Sequence, residues 1–191
     1  MNKLLYFLQP IPYLEFFRNP ALVSELSKYL KDNEKILDVG CGYGKILHEI
    51  KKIKNIKPFG VDNHIKTSLI PFKKADAENI PFKDKEFDVC LLIDVLHHTK
   101  NMKSVIKEAS RVSKKVIIKD HFYETGFERV KLKIIDFLFN IIYNIPMPFN
   151  FLTIKEWEDM FKSLNLKVID MNENFKINRF DIINHVFFVL R

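Results

Sequence analysis

Three glycines at alternate positions, Gly40, Gly42 and Gly44, follow the apolar run Lys35-Ile36-Leu37-Asp38-Val39 and precede a helix-period segment. No other stretch restricts the possible folds as strongly. Glycines at this density let the backbone take left-handed φ and let a ligand approach where a Cβ would collide. The helix that follows presents unpaired N–H groups in its first turn. A strand, a glycine turn and a helix in this order make a ligand-cradling unit, and the rest of the chain has to supply the sheet around it.

It does so by repetition. Pro58-Phe59-Gly60-Val61-Asp62 reads as a second strand ending in a carboxylate, and 68–74 as a weak third element before Ala75-Asp76-Ala77. Phe87-Asp88-Val89-Cys90-Leu91-Leu92-Ile93 is nearly continuous in apolar residues, as expected of a strand buried on both faces of a parallel sheet. A helix over 99–113, with Met102, Val105, Ile106 and Ala109 inward, leads to a fifth strand, Lys115-Val116-Ile117-Ile118-Lys119, that ends at Asp120-His121. This alternation predicts a doubly wound, mostly parallel α/β sheet with helices on both faces.

Residues 1–33 read as a helical lead-in, with Asn19 as cap and Pro20 in the first turn. Over 122–150 the rhythm breaks. Arg129, Lys133, Asp136, Asn140 and Asn144 fall three or four apart, which predicts a helix with one polar stripe and a broad apolar remainder, ended by Pro146-Met147-Pro148. This segment is expected to be an inserted helical cover over the active site, whose Phe and Ile residues line an apolar pocket or touch a membrane surface. Thr153 and Glu156 make a capping box for a further helix, and 166–171 with 182–190 form a closing antiparallel pair.

The 191 residues suit one domain, 1–191, with a single substantial core. The net charge of +7 is spread along the chain rather than gathered in a basic block, so it describes a lysine-rich solvated surface and not a nucleic-acid footprint. Cys41 and Cys90 lie in apolar strand contexts without metal or disulfide spacing, and both are expected to be reduced. The first nine residues lack a small-residue cleavage site, and the apolar run 134–145 is shorter than the roughly 20 residues of a spanning helix, which points to the cytoplasm.

Spacing decides between two cofactors. A dinucleotide turn has the form G-x-G-x-x-G, and its third glycine would stand where this chain has Lys45. The observed G-x-G-x-G after Ile-Leu-Asp-Val, with Asp62, Asp76-Ala77 and Ile93-Asp94-Val95-Leu96-His97-His98 in order behind it, resembles the class I S-adenosylmethionine-dependent methyltransferases of the type 11 kind. The resemblance implies a seven-stranded sheet with an antiparallel last strand and a helical insertion after the fifth. It also implies S-adenosyl-L-methionine as cofactor, S-adenosyl-L-homocysteine as product, and no metal. In similar proteins the turn residues matching Gly40, Cys41, Gly42 and Gly44 pass close to the cofactor. Asp38 orders that turn or binds the ammonium group, Asp62 with Asn63 meets the ribose hydroxyls, Asp76 and Ala77 hold the adenine, and Asp94 lies near the methionine end.

Methyl transfer from a sulfonium is an in-line displacement in which alignment does most of the work. A hydroxyl acceptor also needs a base, and His98 and His121 both follow the carboxyl ends of central strands. The base-amine methylating enzymes of this fold carry an Asn- or Asp-Pro-Pro-aromatic turn where this chain has Asp94-Val95-Leu96-His97, and no cysteine follows a proline as the base-carbon enzymes require. A small-molecule or lipid-like acceptor is therefore expected, through oxygen or nitrogen. A domain that binds the cofactor without catalysis is the alternative.

Overall fold

The structure, a computed structural model, describes residues 11–64, 68–140, 147–178 and 181–191, without the side chains of 11–18 and 139. The expectations for the first nine residues, and for Asn144 and Pro146 at the end of the cover, fall outside them. The element order is α1 (Ile11–Ser27), β1 (Lys35–Val39), α2 (Lys45–Ile53), β2 (Lys57–Asp62), β3 (Phe72–Lys74), β4 (Phe87–Ile93), α3 (Met102–Val112), β5 (Ser113–His121), α4 (Gly126–Asn140), α5 (Ile154–Ser163), β6 (Val168–Phe175) and β7 (His185–Leu190), with a 3-10 turn at Leu96–His98. The strands form one sheet in the order β3-β2-β1-β4-β5-β7-β6. Every pairing is parallel except those of β7 with β5 and β6.

Strand period explains how one sheet carries two cores. Side chains alternate faces along a strand, and in β4 they do so between Cys90 and Leu92 on one side and Val89, Leu91 and Ile93 on the other. Val186, Phe188 and Leu190 of β7 join the first side, with Phe187 and Val189 on the second. The first face is closed by Val105, Ile106 and Ala109 of α3 and by Trp157 and Phe161 of α5. The second is closed by Leu22 and Leu26 of α1 and by Ile46, Leu47 and Ile50 of α2. Strands buried on both sides have no use for polar alternation, which is why they read as unbroken apolar runs.

The capping box expected for α5 is present. Thr153 accepts from Glu156 N–H while Glu156 Oε2 accepts from Thr153 N–H, closing the capping box. Asn101 caps α3 by accepting from Ser104 N–H. Asn19 and Pro20 do not open a helix. Pro20 lies inside α1, so that helix runs on without the bond a proline cannot donate, held by Leu22, Leu26 and Leu30 against the second core.

The cover α4 also departs from expectation. Its apolar side chains Phe127 (78% exposed), Val130, Ile134, Phe137 and Leu138 face outward, while Leu132 and Asp136 are buried. An apolar pocket lining is thus not what this face provides. Asp136 is turned inward, 3.6 Å from both His97 and His98.

Candidate active site

Backbone bonds pin the glycine turn to β2. Gly40 N–H and Cys41 N–H both donate to Val61 O, at 2.8 and 3.2 Å, and Gly44 N–H donates to Cys41 O at 2.8 Å. Gly40 has φ +73°, and a Cβ there would stand 2.5 Å from Cγ2 of Val95. Gly42 has φ +51°, and a Cβ there would meet nothing within 4 Å, so this position fronts open space. Asp62 accepts Gly42 N–H through Oδ2 at 3.0 Å and His64 N–H through Oδ1 at 2.7 Å, fastening the turn to the end of β2.

Turn and sheet together border a cleft of about 240 Å³, whose lining includes Asp38, Gly40, Cys41, Gly42, Tyr43 and Asp94. It lies between the ends of β1 and β4, where strand order reverses, the place at which doubly wound sheets take ligands. Asp38 is only 4% exposed there. Burial, with Asp38 and Asp62 nearby, pushes the Cys41 thiol up, so it stays protonated. A second hollow of about 270 Å³, at His48, Lys51, Lys52 and Pro58, contains none of these groups.

Behind the cleft, the ends of β4, β5 and β7 gather a buried polar cluster. Lys119, fully buried, reaches Asp94 Oδ1 at 2.5 Å, and Asp94 holds the left-handed φ of +53°. Asp120 Oδ1 lies 2.5 Å from His97 Nδ1 and accepts His121 N–H at 2.8 Å. Asp136 Oδ1 of α4 lies 3.6 Å from both His97 Nε2 and His98 Nε2. The His121 ring stands 5.1 Å from that of His97 and 4.8 Å from that of His185, its direct partner across β5 and β7. His121 Nδ1 is buried without a hydrogen bond among the described residues, 3.4 Å from Asp120 Oδ1 and 3.7 Å from Asp94 Oδ1.

Neighbours set these rings apart electrically. Burial alone would lower His97, but the Asp120 and Asp136 carboxylates raise it to about 10. Burial and the Lys119 ammonium lower His121. The same two causes bring His185 down to about 3 against the opposing pull of Asp181, whose Oδ2 lies 2.9 Å from Nε2.

His185 therefore makes the fold acid-labile. Its ring faces Lys119 and His121 on β5, Asp181 on the loop before β7 and Phe175 on β6. The unfolded ring takes a proton below its ordinary pKa of about 6.5 while the folded one does not, so stability falls as pH drops from there toward 3. Asp181, which burial would raise but His185 and the Ile177 and Ile183 N–H groups bring down to about 2, adds its loss lower still. Urea unfolding at pH 7 and pH 5 should differ by about 2 kcal/mol, and His185→Gln should remove most of that difference.

A family model described as a methyltransferase domain matches residues 37–116, which run from β1 through the glycine turn and β4 into β5. Those residues are a methyltransferase domain, and the sheet around them has the fold of the class I S-adenosylmethionine-dependent methyltransferases. An uncharacterised protein of Methanocaldococcus jannaschii is 34% identical to this chain over 146 residues, 70% of the chain and 64% of that protein. The 27-O-demethylrifamycin SV methyltransferase of Amycolatopsis mediterranei is 28% identical over 97 residues, 44% of the chain and 36% of that enzyme. The chain thus spans less than two thirds of either relative. A Thermotoga maritima structure described as a possible histamine N-methyltransferase superposes with a TM-score of 0.67, at 19% identity, over 93% of this chain and 91% of that one, a likeness of fold.

Of the residues singled out in the sequence, the cleft of this chain brings together Asp38, Gly40, Cys41, Gly42 and Asp94. Gly44 is buried at the start of α2, and Asp62 and Asn63 stand at the end of β2. Asp76 is exposed and accepts Glu78 N–H at 2.9 Å, starting a turn, with Ala77 packed on the first core. His98 and His121 both belong to the polar cluster. Sequence reasoning passed over Lys119, Asp136 and His185. The one available signal was Asp136 as a carboxylate set between the apolar pairs Ile134-Ile135 and Phe137-Leu138.

Proposed function

We propose that this chain methylates a hydroxyl group of a small, apolar or lipid-like acceptor, with His121 as the proton-accepting group. The observation that carries the reading is the His121 imidazole at the end of β5, with Nδ1 3.7 Å from the carboxylate of Asp94, which itself borders the cleft. The buried Asp38 carboxylate and the open space in front of Gly42 fit the ammonium and the close-lying body of adenosylmethionine. Asp62 accepts two backbone N–H bonds at the end of β2, which hold its carboxylate where the ribose hydroxyls would lie. Gly40, Cys41, Gly42 and Gly44 carry the backbone past the cofactor, Asn63 adds to the ribose side, and Asp76 with Ala77 takes the adenine.

When bound, adenosylmethionine supplies a methyl group activated by its sulfonium. The protein's share is to align the acceptor oxygen with the methyl carbon and to receive the hydroxyl proton at Nε2 of His121, whose Nδ1 faces the carboxylates of Asp120 and Asp94. Phe151 packs edge-on to His121 and stacks on His97, giving the acceptor side an apolar wall. The outward face of α4, with Phe127, Val130 and Ile134 beside Lys131 and Lys133, supports contact with a lipid surface from which an apolar acceptor would arrive. Transfer of a labelled methyl group to candidate hydroxyl compounds tests the proposal.

A further inference from the structure

We propose that His97, His98 and Asp136 form a site for a divalent transition-metal ion of the zinc type. Their donor atoms all lie within 4.8 Å of one another. Asp136 Oδ1 is 3.6 Å from Nε2 of each histidine, too far for a good hydrogen bond. Donors held about 2.1 Å from a tetrahedral ion stand about 3.4 Å apart, so the spacing matches ligand edges better than hydrogen bonds.

The surroundings orient these donors as a metal site requires. His97 turns its other nitrogen, Nδ1, to Asp120 Oδ1 at 2.5 Å, the carboxylate–histidine arrangement that fixes a ligating ring. Phe151 stacks on the His97 ring at 5.2 Å between centroids, closing one face. Asn140 Nδ2, one turn along α4, donates to Asp136 Oδ1 at 2.6 Å and steers that carboxylate. Asp136 is only 8% exposed, and its Oδ2 has no hydrogen-bond partner among the described residues, a buried acceptor with nothing to accept.

A competing set, His97, Asp120 and His121, shares one histidine. There His97 Nδ1 and Asp120 Oδ1 stand 2.5 Å apart, which is hydrogen-bond contact rather than the spacing of two ligands on one ion, although Asp120 Oδ2, like Asp136 Oδ2, has no hydrogen-bond partner among the described residues. Two imidazoles and one carboxylate suit zinc-like ions over calcium or magnesium, and three protein donors leave a fourth position open. Imidazole must be deprotonated at Nε2 to ligate, so ion entry releases protons. An acceptor oxygen in the open position would lose its proton more easily. That role rests on the methyl-transfer reading above; the binding of the ion does not.

The test uses the full chain, stripped with chelator and titrated with Co²⁺, which absorbs strongly in the visible when tetrahedral. One Co²⁺ per chain, displaced one for one by Zn²⁺, is expected. Asp136→Asn and His98→Ala should each abolish the band, Asp120→Asn should weaken binding about 10- to 100-fold, and His121→Ala should retain it. Circular dichroism melting of each variant verifies the fold. No stoichiometric band, a band unaffected by both Asp136→Asn and His98→Ala in folded protein, or a band lost only with His121→Ala overturns the site. Calorimetry with adenosylhomocysteine on the same samples separates the two readings, because an intact cobalt band without cofactor binding defeats methyl transfer alone.

Discussion

Asp94→Ala is expected to destabilise the fold by about 3–5 kcal/mol, the usual cost of removing one partner of a buried pair. Lys119 is fully buried and Asp94 Oδ1 lies 2.5 Å from its ammonium, so the substitution strips that charge of its closest counter-ion. Relief of the left-handed backbone at residue 94 returns little, because alanine tolerates φ of +53° no better than aspartate. Lys119→Met behaves differently. It replaces the buried charge with an apolar chain of similar length and leaves a carboxylate at the edge of the cleft, so the change should be near neutral. Double replacement should recover most of the loss caused by Asp94→Ala. Urea midpoints of the three variants measure this, and equal losses for both single changes would show that the pair is not what holds Lys119 inside.

His121→Gln is expected to lower turnover about 10²- to 10⁴-fold, the range in which a positioned base contributes. Glutamine preserves size and hydrogen bonding but cannot take a proton, so affinity for the cofactor should hold while kcat falls. The position is constrained from several sides. Asp120 accepts the His121 backbone N–H, His185 lies opposite in register, and Phe151 packs edge-on. Unchanged turnover and unchanged acceptor affinity in the variant would remove His121 from the mechanism and leave it a buried member of the cluster.

Much of this was legible in the sequence where the cause is local. The glycine turn, the alternation of strands and helices and the Thr153–Glu156 capping box each depend on residues within a few positions of one another. The buried cluster was not legible to the same degree. Lys119 ends a run that reads as a strand with polar flanks, and only the pairing of β5 with β4 and β7 seals it inside. Asp136 belongs to a polar stripe that any surface helix would turn to water. Here Arg129 of that stripe is exposed while Asp136 is buried beside His97 and His98, residues far upstream. His185 meets His121 only through antiparallel register, which no short window records.

The central claim is that the cleft at the glycine turn binds adenosylmethionine and that the chain passes its methyl group to an apolar hydroxyl compound. Incubation of the full chain with cofactor labelled in the methyl group, across a panel of such compounds, measures both steps at once. Label should appear in an ether-linked methyl of at least one acceptor, with adenosylhomocysteine formed in equal amount. Label confined to free cofactor throughout the panel, in protein that shows no heat of binding for adenosylmethionine or adenosylhomocysteine, would contradict it.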